Sequence, residues 1–239
     1  MIDLTLVLPV HNQELIMEQV YQDIERMLIG LGISYECILV ENGSTDKTRE
    51  VVTSIARRYR SVRYFISKKG YGYAVIRGLS AAKGRYVSYM PSDGQVDLGV
   101  YPVLWKLIKS DTWDVVKVKR TTRESLLRSI VSSVFSWTIS RIFSISALDI
   151  NGSPRIFLRR WLPALDLTYG DSFIDVEFAV KAHTLGLRIK EIPMKTLPRV
   201  GGKSTRSWRT FMEFFINIWQ FYWSFVFQDK ESTIRSKTD

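Results

Sequence analysis

Three short polar clusters carry the residue types that handle anionic substrates. Pro9-Val10-His11-Asn12-Gln13-Glu14 follows one apolar run, Glu41-Asn42-Gly43-Ser44-Thr45-Asp46 follows a second, and Pro91-Ser92-Asp93-Gly94-Gln95 follows a third. Carboxylates and amides in such positions bind hydroxyls and hard cations, and a cation on oxygen ligands neutralises a phosphate ester as its bond breaks. Each cluster also has a structural explanation. Asn42-Gly43 and Asp93-Gly94 are turn dipeptides, and Ser44, Thr45 or Asp46 would cap a following helix whatever the function. Their joint placement favours chemistry, because strand ends at the carboxyl edge of an open α/β sheet converge on one crevice.

That placement needs strands alternating with helices, and the first half alternates. Apolar β-rich runs fall at Leu4–Pro9, Tyr35–Val40, Val62–Ile66 and Arg85–Met90, separated by helical periodicity over Gln13–Leu31, Asp46–Tyr59 and Tyr71–Ala82. The pattern predicts right-handed βαβ units and a mostly parallel central sheet flanked by helices. In the second half, strands are expected at Asp114–Val118, Arg155–Leu158 and Arg188–Ile192, with a helix at Ile174–Leu185. A longer helix from about Glu124 to Ile145 places Leu127, Val131, Phe135 and Ile139 on one face and Arg128, Ser132 and Ser136 on a neighbouring one. An Arg one turn from a Ser makes a phosphate clamp.

Trp208–Gln228 differs from the rest. Arg209, Glu213, Asn217, Gln220, Ser224 and Gln228 draw a narrow polar stripe on a segment otherwise rich in aromatic and aliphatic residues. As a helix it spans roughly 30 Å. Its aromatics suit a membrane interface or a small membrane-protein partner better than the protein's own core, and its polar stripe argues against a full span. The chain therefore divides into residues 1–206, an aromatic amphipathic helix at 207–228 and a charged tail at 229–239.

Composition narrows the partners. In 239 residues there are 34 Lys+Arg against 24 Asp+Glu, a net charge of +10, and 46% of residues are hydrophobic, which excludes disorder as the dominant state. Cys37 stands alone, so no disulfide scaffold exists, and it reads as a small buried hydrophobe in a reducing compartment. His11 and His183 offer no sensible zinc site. Asp3 interrupts the start and no basic stretch precedes the first apolar run, so no signal peptide is expected and the body stays cytoplasmic. Excess positive charge points to nucleic acid, acidic lipid headgroups or phosphorylated small molecules. Nucleic acid ranks last, because the basic residues are scattered and the aromatics gather in one lipid-like helix.

LVLPVHNQE, ILVENGSTDKT, KGYGYAVIRGLSAAKGRYV and YMPSDGQ resemble the successive signatures of inverting family-2 glycosyltransferases of the GT-A fold. SFIDVEFAVKAHTLGLRIKEIPM and RVGGKSTRS resemble two further motifs of the dolichol-phosphate mannose synthase and polyprenyl-phosphate glycosyltransferase branch, so the likeness runs from about Ile2 to Arg206. It implies a GT-A α/β fold and transfer of a sugar, with inversion, from GDP-mannose or a UDP-sugar to a polyprenyl or dolichyl phosphate. In this resemblance Pro9, His11, Glu14, Glu41 and Ser44 surround the donor, with Asp93, Arg199 and Ser204 at its diphosphate. Asp93 and Gln95 stand at the catalytic positions that hold Mg²⁺ or Mn²⁺, and Arg120, Arg128 and Ser132 hold the acceptor phosphate. Asp175 and Glu177 either touch the sugar or acceptor or orient Arg side chains; Asp175 would be the base if the acceptor were a glycan or protein hydroxyl. The chain departs from the pattern at Pro91, which replaces the first Asp of D-x-D, and at His11, Gln13, Asn42 and Lys68. Loss of that carboxylate leaves a third alternative, a catalytically weak homologue that recruits a membrane partner. The expected location is the cytosolic face of a membrane, peripherally bound.

Overall fold

The computed structural model describes residues 1–121, 126–145, 149–198 and 216–223, the side chains of 126–132 excepted. The apolar runs pair into one sheet: β1 (Leu4–Val10), β2 (Tyr35–Glu41), β3 (Val62–Ile66), β4 (Tyr86–Tyr89), β5 (Val115–Arg120), β6 (Arg155–Leu158) and β7 (Ile189–Met194). Their order is β3-β2-β1-β4-β6-β5-β7. Four pairings are parallel, and β6 runs antiparallel to both β4 and β5. The alternation expected from the first half therefore ends at β4.

Both faces of the central strands are covered, which is why β1 reads as a continuous apolar run. Leu4, Leu6, Leu8 and Val10 point into a layer built with α1 (Met17–Gly30), α2 (Thr48–Arg58) and α4 (Tyr101–Lys109). Val7 points the other way, toward α3 (Tyr71–Ser80) and α7 (Ile174–Thr184). Cys37 is buried and unpaired, as expected. Contact on the α3 side is close: a Cβ on Gly78 would lie 2.2 Å from Val7 Cγ1, so only glycine lets the helix approach the strand.

Several boundaries differ from expectation for physical reasons. α1 starts at Met17 rather than Gln13, because the Gln13 and Glu14 N–H groups bond to Thr48 Oγ1 and Asp46 Oδ2 across the neighbouring loop. β5 and β7 extend to Arg120 and Met194, which pair in register despite the charge on β5. α4 is an element that the sequence reading passed over. Its buried residues Tyr101, Leu104 and Ile108 have helical spacing, and Pro sits in its first turn. A four-residue turn of helix, α6 (Leu162–Leu165), also went unread.

α5 (Leu126–Ile142) lies within the expected 124–145 span. Ile139 is buried, while Val134, Trp137 and Ile142 are exposed. Residues 216–223 are helical, and Phe221 packs 5.4 Å from Phe143 and 5.6 Å from Phe173 by ring centroids. Asn217, on the expected polar stripe, donates to Asp171 Oδ2 at 2.7 Å. The opposite side presents Ile216, Trp219 (65% exposed) and Trp223. The rest of the expected 207–228 helix and the 229–239 tail lie outside the described residues. Among those described, no helix is long and apolar enough to cross a membrane.

Candidate active site

The first two polar clusters are laced together. Asn12, in the left-handed region at φ +50°, donates its N–H to Ser44 Oγ at 3.1 Å and accepts the Thr45 N–H at 2.8 Å. Glu14 accepts the Lys47 N–H at 2.8 Å, and the buried Glu41 carboxylate accepts the Ser44 N–H. Glu14, Glu41 and Ser44 thus hold the two loops in shape. His11 is different: its Nδ1 is buried with no hydrogen-bond partner among the described residues. A buried polar atom without a partner in a strand-end loop is a place for a ligand's polar group.

The third cluster joins the first through Ser92, whose Oγ lies 2.6 Å from the Pro9 carbonyl and 2.7 Å from Gln13 Oε1. Asp93 Oδ1 accepts the Gln95 N–H at 3.2 Å, and the Gln95 carbonyl accepts the Leu197 N–H at 3.0 Å. The chain leaving β7 is therefore tied to the Asp93–Gln95 turn. Arg199 and Ser204, expected to close over the donor, follow directly in sequence but lie outside the described residues.

Opposite, β5 ends on Arg120, which forks onto Asp149 with Nε–Oδ2 and Nη2–Oδ1 both at 2.8 Å. Arg128 and Ser132 ride on α5, but their side chains are among those not described. Ser136, one turn further on, lies 3.4 Å from the Ile150 N–H, so α5 abuts the turn that carries Asp149.

Sequence reasoning passed over the centre of this region. Arg155, on β6, is fully buried and donates through Nη2 to Asp175 Oδ1 at 2.9 Å. Its guanidinium lies 4.8 Å from the Tyr89 ring and 5.0 Å from the Phe178 ring by centroid. The Tyr89 hydroxyl donates to the same Asp175 oxygen at 3.2 Å. Tyr71 feels the charge of Asp175 and Arg155 and, more weakly, that of Asp93 and Arg120. Burial pushes the Tyr71 and Tyr89 hydroxyls well above their ordinary pKa, with Asp175 adding to the rise, so both are neutral donors near pH 7. The available signal was an Arg in a four-residue apolar strand, where an unpaired charge is not tolerated.

The alternatives for the α7 carboxylates separate. Glu177 accepts the Thr168 and Tyr169 N–H groups and pairs with Lys181 at 2.8 Å, a loop-fixing role. Asp175 faces Arg155 and Tyr89.

A family model described as glycosyl transferase family 2 matches residues 5–160. An uncharacterized glycosyltransferase of Mycobacterium tuberculosis is 28% identical over 204 residues, covering 84% of this chain and 88% of that protein. A dolichyl-phosphate beta-glucosyltransferase of Dictyostelium discoideum is 25% identical over 224 residues, covering 84% and 68%. Among solved structures, glucosyl-3-phosphoglycerate synthase from Mycobacterium tuberculosis, in complex with Mn²⁺, uridine diphosphate and phosphoglyceric acid, superimposes with a TM-score of 0.65. At 20% identity over 84% of this chain and 72% of that one, the likeness establishes a shared fold.

Proposed function

The chain belongs to glycosyl transferase family 2, and we propose that it moves a sugar from a UDP- or GDP-sugar to a polyprenyl or dolichyl phosphate with inversion. The engagement of Asp175 carries this reading. A hydroxyl acceptor needs a carboxylate base with a lone pair facing the substrate. Asp175, the candidate for that task, is buried and bound to Arg155 and Tyr89. A phosphate monoester needs no such base, because its oxygen is already ionised at neutral pH. The site then has to orient that oxygen toward the anomeric carbon and stabilise the leaving diphosphate. The name of the Dictyostelium relative supports the same acceptor class.

In this reading His11 Nδ1 meets the nucleoside, and Pro9, Glu14, Glu41 and Ser44 shape its loops. Arg199 and Ser204 close over the diphosphate, while Arg120, with Arg128 and Ser132 on α5, receives the acceptor phosphate. Tyr71 supplies a neutral hydroxyl donor. Asp93 and Gln95 supply one carboxylate and one amide oxygen, a hard donor set that fits Mg²⁺ or Mn²⁺ when the diphosphate and water complete the shell. Among the described residues no group of three His, Cys, Asp or Glu gathers to hold a metal. Bound there, the ion would supply charge neutralisation at the departing diphosphate. Pro91 removes a carboxylate but leaves this donor pair intact.

The exposed apolar residues of α5 and 216–223 support peripheral attachment to a membrane surface or a small membrane protein, at the cytosolic face where a lipid phosphate would be presented. Calorimetric titration of UDP and GDP with and without Mn²⁺, on wild type and Asp93→Ala, tests the donor site. Metal-dependent binding of one nucleotide, lost in the variant, is expected. Transfer from UDP-glucose and GDP-mannose is then assayed on polyprenyl phosphate, polyprenol and 3-phosphoglycerate. Turnover on polyprenol equal to that on its phosphate would refute the acceptor assignment.

A further inference from the structure

β5 buries a lysine beside the buried arginine of β6. Lys117 is 4% exposed, and in register it faces Arg155 on β6 and Glu191 on β7. Its ammonium donates to the Asp149 carbonyl at 2.5 Å and the Ile150 carbonyl at 3.2 Å, with Glu191 Oε1 at 3.5 Å. The same Glu191 oxygen lies 3.3 Å from the Asp149 N–H, which donates to it. Both main-chain groups of Asp149 are thus held by one buried ion pair, while its carboxylate holds Arg120 through the two-bond fork and the Arg120 N–H.

Stability alone does not account for this arrangement. The Asp149 carbonyl already accepts the Gly152 N–H at 3.0 Å, so the turn does not need the lysine. Burying two charges costs desolvation that apolar residues of the same volume would avoid. What the pair does is immobilise one peptide unit whose side chain aims Arg120. The fork engages Nε and Nη2 of the guanidinium, and its direction sets where Nη1 points.

We infer that Lys117 and Glu191 are positioning residues, which fix Asp149 and through it the direction in which Arg120 presents its outer N–H groups to the acceptor phosphate. This rests on the reading that Arg120 meets that phosphate. Neither residue touches substrate; both act through Asp149.

The test uses the full chain and the pair Lys117→Met with Glu191→Gln, which removes both charges together and so avoids a lone buried ion. Circular dichroism and nucleotide affinity are expected to match wild type. With polyprenyl phosphate in vesicles, kcat is expected to fall roughly 10- to 100-fold at saturating donor, the scale set by small misplacements of a positioned group. Arg120→Lys is then made in both backgrounds. Its penalty is expected to be large in wild type and several-fold smaller in the charge-free pair, because an arginine already misaligned has less to lose.

The pH profile gives a further readout. Burial, and then the neighbouring Arg155, pushes the Lys117 ammonium down to about 8, against the pull of Glu191, Asp149 and Asp175. Wild-type kcat is expected to drop as pH rises through about 8, and that step should be missing in the pair. A folded pair with wild-type kcat and an unchanged pH profile overturns the inference, as does an Arg120→Lys penalty that is equal in the two backgrounds. Wild-type transfer to 3-phosphoglycerate but not to polyprenyl phosphate overturns the acceptor reading alone, and the same cycle run on that acceptor still decides the positioning role. If wild type turns over neither, retention on vesicles with polyprenyl phosphate against polyprenol is compared for the two proteins, and equal retention overturns the inference.

Discussion

Replacing Asp175 with alanine should unfold the protein more easily before it says anything about catalysis. The change removes the carboxylate that accepts from Arg155 Nη2 at 2.9 Å and from the Tyr89 hydroxyl at 3.2 Å. Arg155 is fully buried and also donates through Nη2 to the Gly152 carbonyl at 3.1 Å. Among the described residues its Nε and Nη1 have no hydrogen-bond partner, so the loss of Asp175 leaves a buried cation with one neutral acceptor and two aromatic faces there. Breaking a buried pair from one side costs about 3–5 kcal/mol. That is a large part of the roughly 5–15 kcal/mol available to a domain, and it corresponds to a fall in Tm of about 10 °C for a chain of this length. The double variant Asp175→Asn with Arg155→Met removes both charges and should recover most of the loss. Urea unfolding by tryptophan fluorescence measures all of these. A single Asp175→Ala variant within about 1 kcal/mol of wild type, yet inactive, would refute the argument and restore Asp175 as a base facing substrate.

Three other outcomes follow from the packing and charges. Gly78→Ala places a Cβ 2.2 Å from Val7 Cγ1 and should destabilise by about 1–3 kcal/mol, read as a lower urea midpoint; an unchanged midpoint would mean α3 shifts freely on β1. Folding lowers the Lys117 pKa from the usual 10.5 to about 8, so between those values the unfolded chain holds more protons than the folded one and stability rises with pH. At about 1.4 kcal/mol per pH unit, wild type should gain about 3 kcal/mol from pH 8 to 10.5 relative to the Lys117→Met, Glu191→Gln pair, while shared groups such as Cys37 cancel; a flat difference contradicts it. Trp219→Ala with Trp223→Ala should reduce sedimentation with anionic vesicles severalfold at unchanged Tm, and equal sedimentation would separate these side chains from any membrane contact.

Regular alternation made the first half legible. Residues 62–66 and 155–158 were read to the residue, because short apolar runs bounded by turns have sharp ends. Errors gathered where side chains in one loop satisfy the backbone of another. Gln13 and Glu14 have helical spacing, but Thr48 and Asp46, more than thirty positions away, take their N–H groups. The site divides the same way. Motif position singled out Asp93, Arg120 and Asp175, whereas it drew no attention to Lys117, Asp149, Arg155 and Glu191, which the structure packs around Arg120 and Asp175. Cross-strand register alone makes Lys117 the neighbour of both Arg155 and Glu191, and β6 enters the sheet against the direction that the local pattern suggests. No spacing rule within one segment carries that information.

The charges around Arg120 and Asp175 also bear on how the proposed anionic acceptor would be selected. Lys117, Arg120 and Arg155 interleave with Asp149, Asp175 and Glu191 in contacts of 3.5 Å or less, so three cations meet three carboxylates and the described network is neutral. A neutral network exerts little long-range pull on a phosphate. Attraction at a distance must come from the chain's overall charge of +10, much of it on exposed surface, and that pull is screened beyond roughly 10 Å in ordinary salt. The network's contribution is orientation at short range, where buried pairs are screened far less. The two should therefore respond differently to ionic strength. On the proposed reading, raising salt should weaken capture of anionic vesicles and raise the apparent KM for a lipid phosphate, while kcat stays nearly constant. A kcat that falls in parallel with vesicle binding would show that the arginine is held by surface charge and not by the fork beneath it.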